Sequence, residues 1–189
     1  MVFLNRIYTR SGDDGKTGII GGARLSKSHA LIDAIGEIDE TNAAIGVALA
    51  RITDDVCRNR FAIIQNDLFD LGADLATPFD NKISGSLRIT ASQVERLEQE
   101  IDEMNAELPP LTSFILPAGG CGIAEIHLAR AITRRAERAL IRLNDSNIVI
   151  NAGVRRYVNR LSDYLFVMAR WLGKKLNQET LWEPHKSNL

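Results

Sequence analysis

A run of arginines offers the first chemistry in this sequence: Arg130-Ala131-Ile132-Thr133-Arg134-Arg135-Ala136-Glu137-Arg138. On a helix, Arg130, Arg134 and Glu137 fall at i, i+4 and i+7 and share one face. Ala129, Ile132, Ala136, Ala139, Leu140 and Leu143 fall on an adjoining arc, the expected buried face. The arginines therefore flank a core. Arginine keeps its charge and presents several fixed donors, which suits a polyphosphate or a buried carboxylate. A solvated face, or ion pairs with Glu and Asp at an interface, fits the same pattern.

The second stretch with chemical potential is near the start: Tyr8-Thr9-Arg10-Ser11-Gly12-Asp13-Asp14-Gly15-Lys16-Thr17-Gly18-Ile19-Ile20-Gly21-Gly22, followed by Arg24 and Lys27. Its glycine density opposes a stable helix. Backbone amides in such a segment can curl around phosphate oxygens, with Thr17, Arg10 and Lys27 adding donors. The spacing is not the Walker pattern, because Gly-Lys-Thr is absent in that order. A flexible N-terminal arm with no ligand has the same composition.

The elements that must position these residues are helices. Five stretches carry helical periodicity. The first, about 29–51, has Leu31, Ile35, Ile38, Ile45 and Leu49 on one stripe, with Asp39 and Asn42 beside it as i, i+3 partners. The second, about 54–75, is carried by Cys57, Phe61, Ile64, Leu68, Leu71 and Leu75, and Thr77-Pro78 stops it. A loop rich in Asp, Asn, Ser and Gly covers 78–88. The third opens at Thr90 with Gln93 in capping-box spacing, continues through Val94, Leu97, Ile101, Met104 and Leu108, and ends at Pro109-Pro110. Phe114-Ile115-Leu116-Pro117-Ala118-Gly119-Gly120 links it to the arginine helix, 123–143, and such an apolar triplet normally anchors a loop in the core. Asn144 to Asn147 make a turn. The fifth helix, about 151–176, buries Val154, Val158, Leu161, Leu165, Met168 and Leu172 and presents Arg156, Asn159 and Asp163 as a polar stripe. Beyond Asn177 the tail reads as loosely structured, although Leu181 and Trp182 could dock. The expected fold is all-α: a five-helix antiparallel bundle with a glycine-rich N-terminal arm and no convincing strand. One domain is expected over 1–189, with the arm at 1–27, the bundle at 28–176 and the tail at 177–189.

With 189 residues, 45% hydrophobic and 25% charged at a net charge of −1, the chain has the composition of a soluble globular domain. A near-zero charge argues against electrostatic binding of nucleic acid. Cys57 and Cys121 form no C-x-x-C pair, which fits a reducing cytoplasm and excludes a thiolate zinc site. No secretory signal is expected from Met1–Arg6, and no run is long enough to span a membrane. A di-iron carboxylate bundle requires Glu-x-x-His on two helices. Glu125 and His127 stand only two apart, and His29 and His185 have no such partner, so no resident metal site is expected. What survives is an arm and an arginine helix that both suit a nucleoside triphosphate, with Glu137, Asp39 or Asn159 available to orient nucleotide or magnesium.

The chain resembles the PduO-type ATP:cob(I)alamin adenosyltransferases along nearly its whole length. The matching pieces are Tyr8-Thr9-Arg10-Ser11-Gly12-Asp13 with Gly15, Thr17, Gly22, Arg24 and Lys27; Gly36-Glu37-Ile38-Asp39-Glu40; Phe114-Ile115-Leu116-Pro117; Arg130 with Arg134-Arg135-Ala136-Glu137-Arg138; and Asn159-Arg160-Leu161-Ser162-Asp163. Departures are Thr41 and Ala43 for the more usual Leu and Ser, and Ala118 for Gly or Ser.

The resemblance implies a five-helix bundle that assembles as a homotrimer with active sites at subunit interfaces. It implies transfer of the 5′-deoxyadenosyl group of ATP to reduced cobalamin, with magnesium present, triphosphate released and a reductase as transient partner. It places ATP against Thr9, Arg10, Ser11, Gly12, Thr17, Gly18 and Lys27 of the arm, and against Arg134, Arg135, Ala136, Glu137, Arg138 and Asn159 of the helices. It gives Asp39, Phe114, Arg130, Arg134 and Glu137 catalytic roles: Asp39 and Arg130 pair across the subunit boundary, and Phe114 displaces the lower axial ligand of the corrinoid. An ATP- or corrinoid-binding sensor or carrier without transferase activity is the competing function, and a purely structural or RNA-binding bundle is a third; the net charge of −1 and the lack of aromatic-basic interleaving argue against RNA.

Overall fold

The computed structural model describes residues 7–79 and 85–186. The first six residues of the expected arm, residues 80–84 of the loop and residues 187–189 of the tail lie outside the described residues. The element order is β1 (Lys16–Gly18), β2 (Arg24–Ser26), α1 (Ala30–Leu49), α2 (Asp55–Ala76), α3 (Ala91–Ala106), α4 (Ile123–Asp145) and α5 (Ala152–Leu176).

Local chemistry starts and stops these helices. His29 caps α1 by accepting from the Leu31 amide at 3.2 Å, and Asp54 caps α2 by accepting from Cys57 at 2.9 Å. At α3 the Thr90 amide donates to Gln93 Oε1 at 2.9 Å, the return half of the expected capping box. Asn151 caps α5 through the Gly153 amide at 2.9 Å. Gly122, at φ 91°, precedes α4, and a Cβ there would stand 2.5 Å from Ile52 Cγ1. Only glycine lets α4 start this close to the end of α1.

Consecutive helices run antiparallel. Cross-links fix the directions: Asp33 meets Arg142 and Glu37 meets Arg135 between α1 and α4, while Glu137 meets Asn159 between α4 and α5. α5 packs on α4 and α3 and also meets α2, and α1 packs on α4 and α2. α5 is buried along most of its length, including Tyr157, Tyr164 and all six residues of its expected stripe. Two buried carboxylates tie the frame. Asp74 accepts from Arg88 Nη1 at 2.6 Å, the Ile89 amide at 2.8 Å and Asn151 Nδ2 at 2.7 Å. Asp67 accepts from Tyr157 Oη at 2.8 Å, Gln93 Nε2 at 2.9 Å and Arg96. No described helix is long and apolar enough to cross a membrane.

The structure departs from the sequence reading at several places. The arm contains a two-stranded antiparallel hairpin with Thr17 opposite Leu25. Strands of three residues are too short to show periodicity, and Gly21 and Gly22, at φ 96° and 88°, turn the chain between them. The hairpin is pinned by the Ile20 amide, which donates to Ala76 O at 3.0 Å at the end of α2. In α4, Thr133 takes the buried position and Ile132 is half-buried. The Thr133 hydroxyl donates to Ala129 O at 2.8 Å, so its burial leaves no unpaired donor. Asn42 is also buried and faces α2, exchanging side chain–backbone hydrogen bonds with Gln65 at 3.1 and 3.2 Å, while Asp39 stays exposed.

Candidate active site

At one end of the bundle the arm gathers small polar and basic groups. Thr9 and Ser11 join through their hydroxyls at 2.8 Å. Arg10 adopts φ 60°, a left-handed conformation, with its guanidinium 5.7 Å from the Tyr8 ring centre. Arg24 is structural: it donates to Ser11 O and, at 3.2 Å, to Lys16 O, bracing the loop. The Lys27 ammonium lies against Gly12, where an added Cβ would come within 3.1 Å. Thr17 is half-buried in β1 and Gly18 exposed. Thr9, Arg10, Ser11, Gly12, Thr17, Gly18 and Lys27 therefore come together in one small loop-and-hairpin unit that leads directly into α1.

α4 carries the arginine face from this end toward the other. Arg134 and Arg138 are exposed, and neither has a carboxylate partner among the described residues; Arg138 Nη1 donates to Arg134 O at 3.1 Å. Ala136 is fully buried and acts through packing. Arg135 turns the other way. It donates to Glu37 Oε2 at 2.7 Å and also to Glu40, which raises its pKa and locks α4 to α1. Glu137 accepts from Asn159 Nδ2 at 2.8 Å, and the two line a cleft of about 320 Å3 between α4 and α5. Sequence reasoning missed Arg155, which lines the same cleft; its position four residues before Asn159 was the available signal.

Asp39 and Arg130 are not joined within the chain. Asp39 is exposed and makes no hydrogen bond or ion pair among the described residues. Arg130 is half-buried, its Nε is shielded from solvent without a hydrogen-bond acceptor, and its guanidinium stands 5.8 Å from the Phe166 ring centre. Burial and then Arg134 lower its pKa. One turn away His127 is only 3% exposed, with Nδ1 unpartnered. Burial and then Arg130 hold its pKa below the ordinary value, against an opposing pull from Glu179.

At the opposite end, Phe114 is not a core anchor. Its side chain is 78% exposed, and Leu116 is partly exposed as well. The backbone around it is nonetheless fixed, because the tail docks alongside. The Leu116 amide donates to Thr180 O at 2.9 Å and the Trp182 amide to Phe114 O at 2.7 Å. The Ser113 hydroxyl donates to Trp182 O at 2.7 Å, and the Gly120 amide to Gln178 Oε1 at 2.7 Å. The buried Arg170 holds Glu179 at 2.9 Å and Pro109 O at 3.1 Å. The expected loose tail is thus ordered through residue 186, since its polar backbone finds partners on the linker. The Trp182 ring meets the Phe114 ring edge-on with centroids 6.0 Å apart, which makes an apolar platform of two aromatics facing solvent.

Fold and site together define a five-helix ligand-binding bundle with a small β-hairpin, a cationic end and an aromatic end, bridged by the arginine face of α4. The chain belongs to the cobalamin adenosyltransferase family, whose model matches residues 7–172. It is 45% identical over 191 residues to a corrinoid adenosyltransferase of Mycobacterium tuberculosis, covering 97% of this chain and 95% of that one. It is 41% identical to a cobalamin adenosyltransferase of Cupriavidus metallidurans, over 98% of both chains. Among solved structures, a Phe-to-Ala variant of a PduO-type ATP:corrinoid adenosyltransferase from Lactobacillus reuteri, complexed with cobalamin and ATP, superposes with a TM-score of 0.86. It is 38% identical, over 94% of this chain and 99% of that chain.

Proposed function

We propose that this protein is an ATP:cob(I)alamin adenosyltransferase. Cobalt(I) of the reduced corrinoid attacks the 5′-carbon of ATP, the cobalt–carbon bond forms, the carbon–oxygen bond breaks, and triphosphate leaves with the electron pair. The metal of the substrate is itself the nucleophile, so the protein needs no activated Ser or Cys. Its tasks are to hold two ligands in line and to stabilise a polyanionic leaving group. Arg10, Lys27, Arg134 and Arg138 supply positive charge for the triphosphate. Glu137 and Asn159, already paired at 2.8 Å, orient the nucleotide. They are also the carboxylate and amide that would hold a magnesium ion carried on the phosphates, a donor set suited to a hard ion that keeps several waters. That ion would supply charge neutralisation at the leaving group.

Phe114 covers the lower face of the corrin and keeps an axial ligand and water off the cobalt, which makes cobalt(II) easier to reduce. This is the observation that carries the proposal over a carrier or sensor: an apolar ring left 78% exposed while its backbone is held from both sides. The active unit is a homotrimer in which Asp39 of one protomer meets Arg130 of its neighbour. The unpaired states of both side chains within one chain support that arrangement. The reduced corrinoid comes from a reductase that meets the protein transiently in the cytoplasm. The test is spectroscopic conversion of chemically reduced cobalamin to its adenosyl form, with and without ATP. No conversion in the presence of ATP would refute the proposal.

A further inference from the structure

The positive charge near Glu137 is distributed differently from the pattern in the arginine run. Arg135 is closed by Glu37 and Glu40, Arg142 by Asp33 at 3.3 Å, and Arg160 by Glu98 at 2.7 Å. Two arginines in the early turns of α5 remain. Arg155 and Arg156 make no hydrogen bond or ion pair among the described residues. Both line the cleft of about 320 Å3 with Glu137, Leu140, Ile141 and Asn159. Arg155 also lines an adjoining hollow of about 360 Å3, which runs over Asn144 and Asn147 at the α4–α5 turn. Glu137 is the one carboxylate lining either hollow, and it is already engaged by Asn159. Two unpaired guanidinium groups against one engaged carboxylate leave this cleft cationic, and guanidinium forks match phosphate oxygens.

Resting on the activity proposed above, we infer that Arg155 and Arg156 hold the polyphosphate of the nucleotide and retain triphosphate after the transfer. They act with Arg134 and Arg138, two exposed arginines of α4 that also lack carboxylate partners among the described residues. The ligand class is a linear polyphosphate, free or esterified to a nucleoside. Arg156 also borders a hollow beside Glu95 and Glu98, whose carboxylates compete for it. Across its two hollows Arg155 meets a single carboxylate, Glu137, which Asn159 already engages, so it carries the larger share.

Calorimetric titration of the full-length protein with inorganic triphosphate, and separately with ATP, tests this. The variants are Arg155→Gln, Arg156→Gln and the double substitution. Arg142→Gln removes an arginine already paired with Asp33 and serves as the charge control. Loss of one charge-assisted contact corresponds to about tenfold in affinity. Arg155→Gln is expected to weaken triphosphate about tenfold, the double variant further, and Arg142→Gln less than about twofold. The salt dependence of binding becomes shallower in the double variant. A double variant that binds triphosphate within about twofold of the parent overturns the inference. A parent protein that binds triphosphate through these arginines but never adenosylates cobalamin refutes the proposed activity and leaves this inference standing.

Discussion

Replacement of Phe114 by alanine separates chemistry from packing. The ring is 78% exposed, so about a fifth of its surface is shielded. A phenylalanine buries on the order of 200 Å2 when fully enclosed. The shielded part is then roughly 45 Å2, worth about 1 kcal/mol at ~25 cal/mol/Å2. The edge-on contact with Trp182 adds about 1 kcal/mol. The expected loss is therefore about 2 kcal/mol, or a fall in Tm of about 4–8 °C for a chain of this size. A core ring would cost ~3–5 kcal/mol and damage every activity together. ATP affinity should be unchanged, because the arm and the Glu137–Asn159 cleft lie toward the other end of α4. Turnover is to be measured in two assays, one supplying cobalt(I) preformed and one in which cobalt(II) is reduced on the protein. The defect should be larger in the reductase-coupled assay. Equal defects in both, together with a fall in Tm well beyond about 10 °C, would assign Phe114 to packing.

Limited proteolysis should cut the apo protein between Gly12 and Gly22, and ATP with magnesium should protect that stretch; equal cleavage in both states counts against a phosphate-binding arm. Sedimentation should show a trimer at micromolar concentration, and a double-mutant cycle on Asp39 and Arg130 should give clear coupling. A stable, active monomer would remove the shared site. Burial and then Arg130 lower the pKa of His127 below its ordinary 6.5. Near that pH the unfolded chain takes up a proton that the folded protein refuses, so stability is full above it and falls on acidification, by at most about 1.4 kcal/mol per pH unit. Urea unfolding at about pH 7.5 and about pH 5.5 should show a smaller loss in His127→Gln than in the parent, and parallel losses would clear His127 of this role.

Much of the architecture is legible along the chain. The 3.6-residue period identifies all five helices, and Thr90 with Gln93 marks the start of α3, because helices are built from contacts three and four residues apart. The arginine face of α4 follows from the same spacing. The ordered motifs from Tyr8 to Asp163 also suffice to point to the cobalamin adenosyltransferase family. Two arginines adjacent in that run, however, meet different fates. Arg134 stays free on the surface, while Arg135 is closed by a glutamate 98 positions earlier in the chain. Nothing local distinguishes them, since one residue is a 100° rotation on a helix and the partner is chosen by how α1 packs on α4.

Phe114 behaves likewise. An apolar triplet before Pro117 and two glycines looks like a core anchor, but the Phe114 ring turns outward against Trp182, 68 positions later. The tail that reads as loose is ordered by Arg170 at the end of α5 and by Gly120 and Leu116, which lie about sixty positions earlier in the chain. Sequence alone thus determined which segments are helical and which residue types line them, because those depend on near neighbours. The pairing of free and occupied charges, and the exposure of one aromatic ring, depend on contacts between segments brought together by the closed core, and only the tertiary structure decided them.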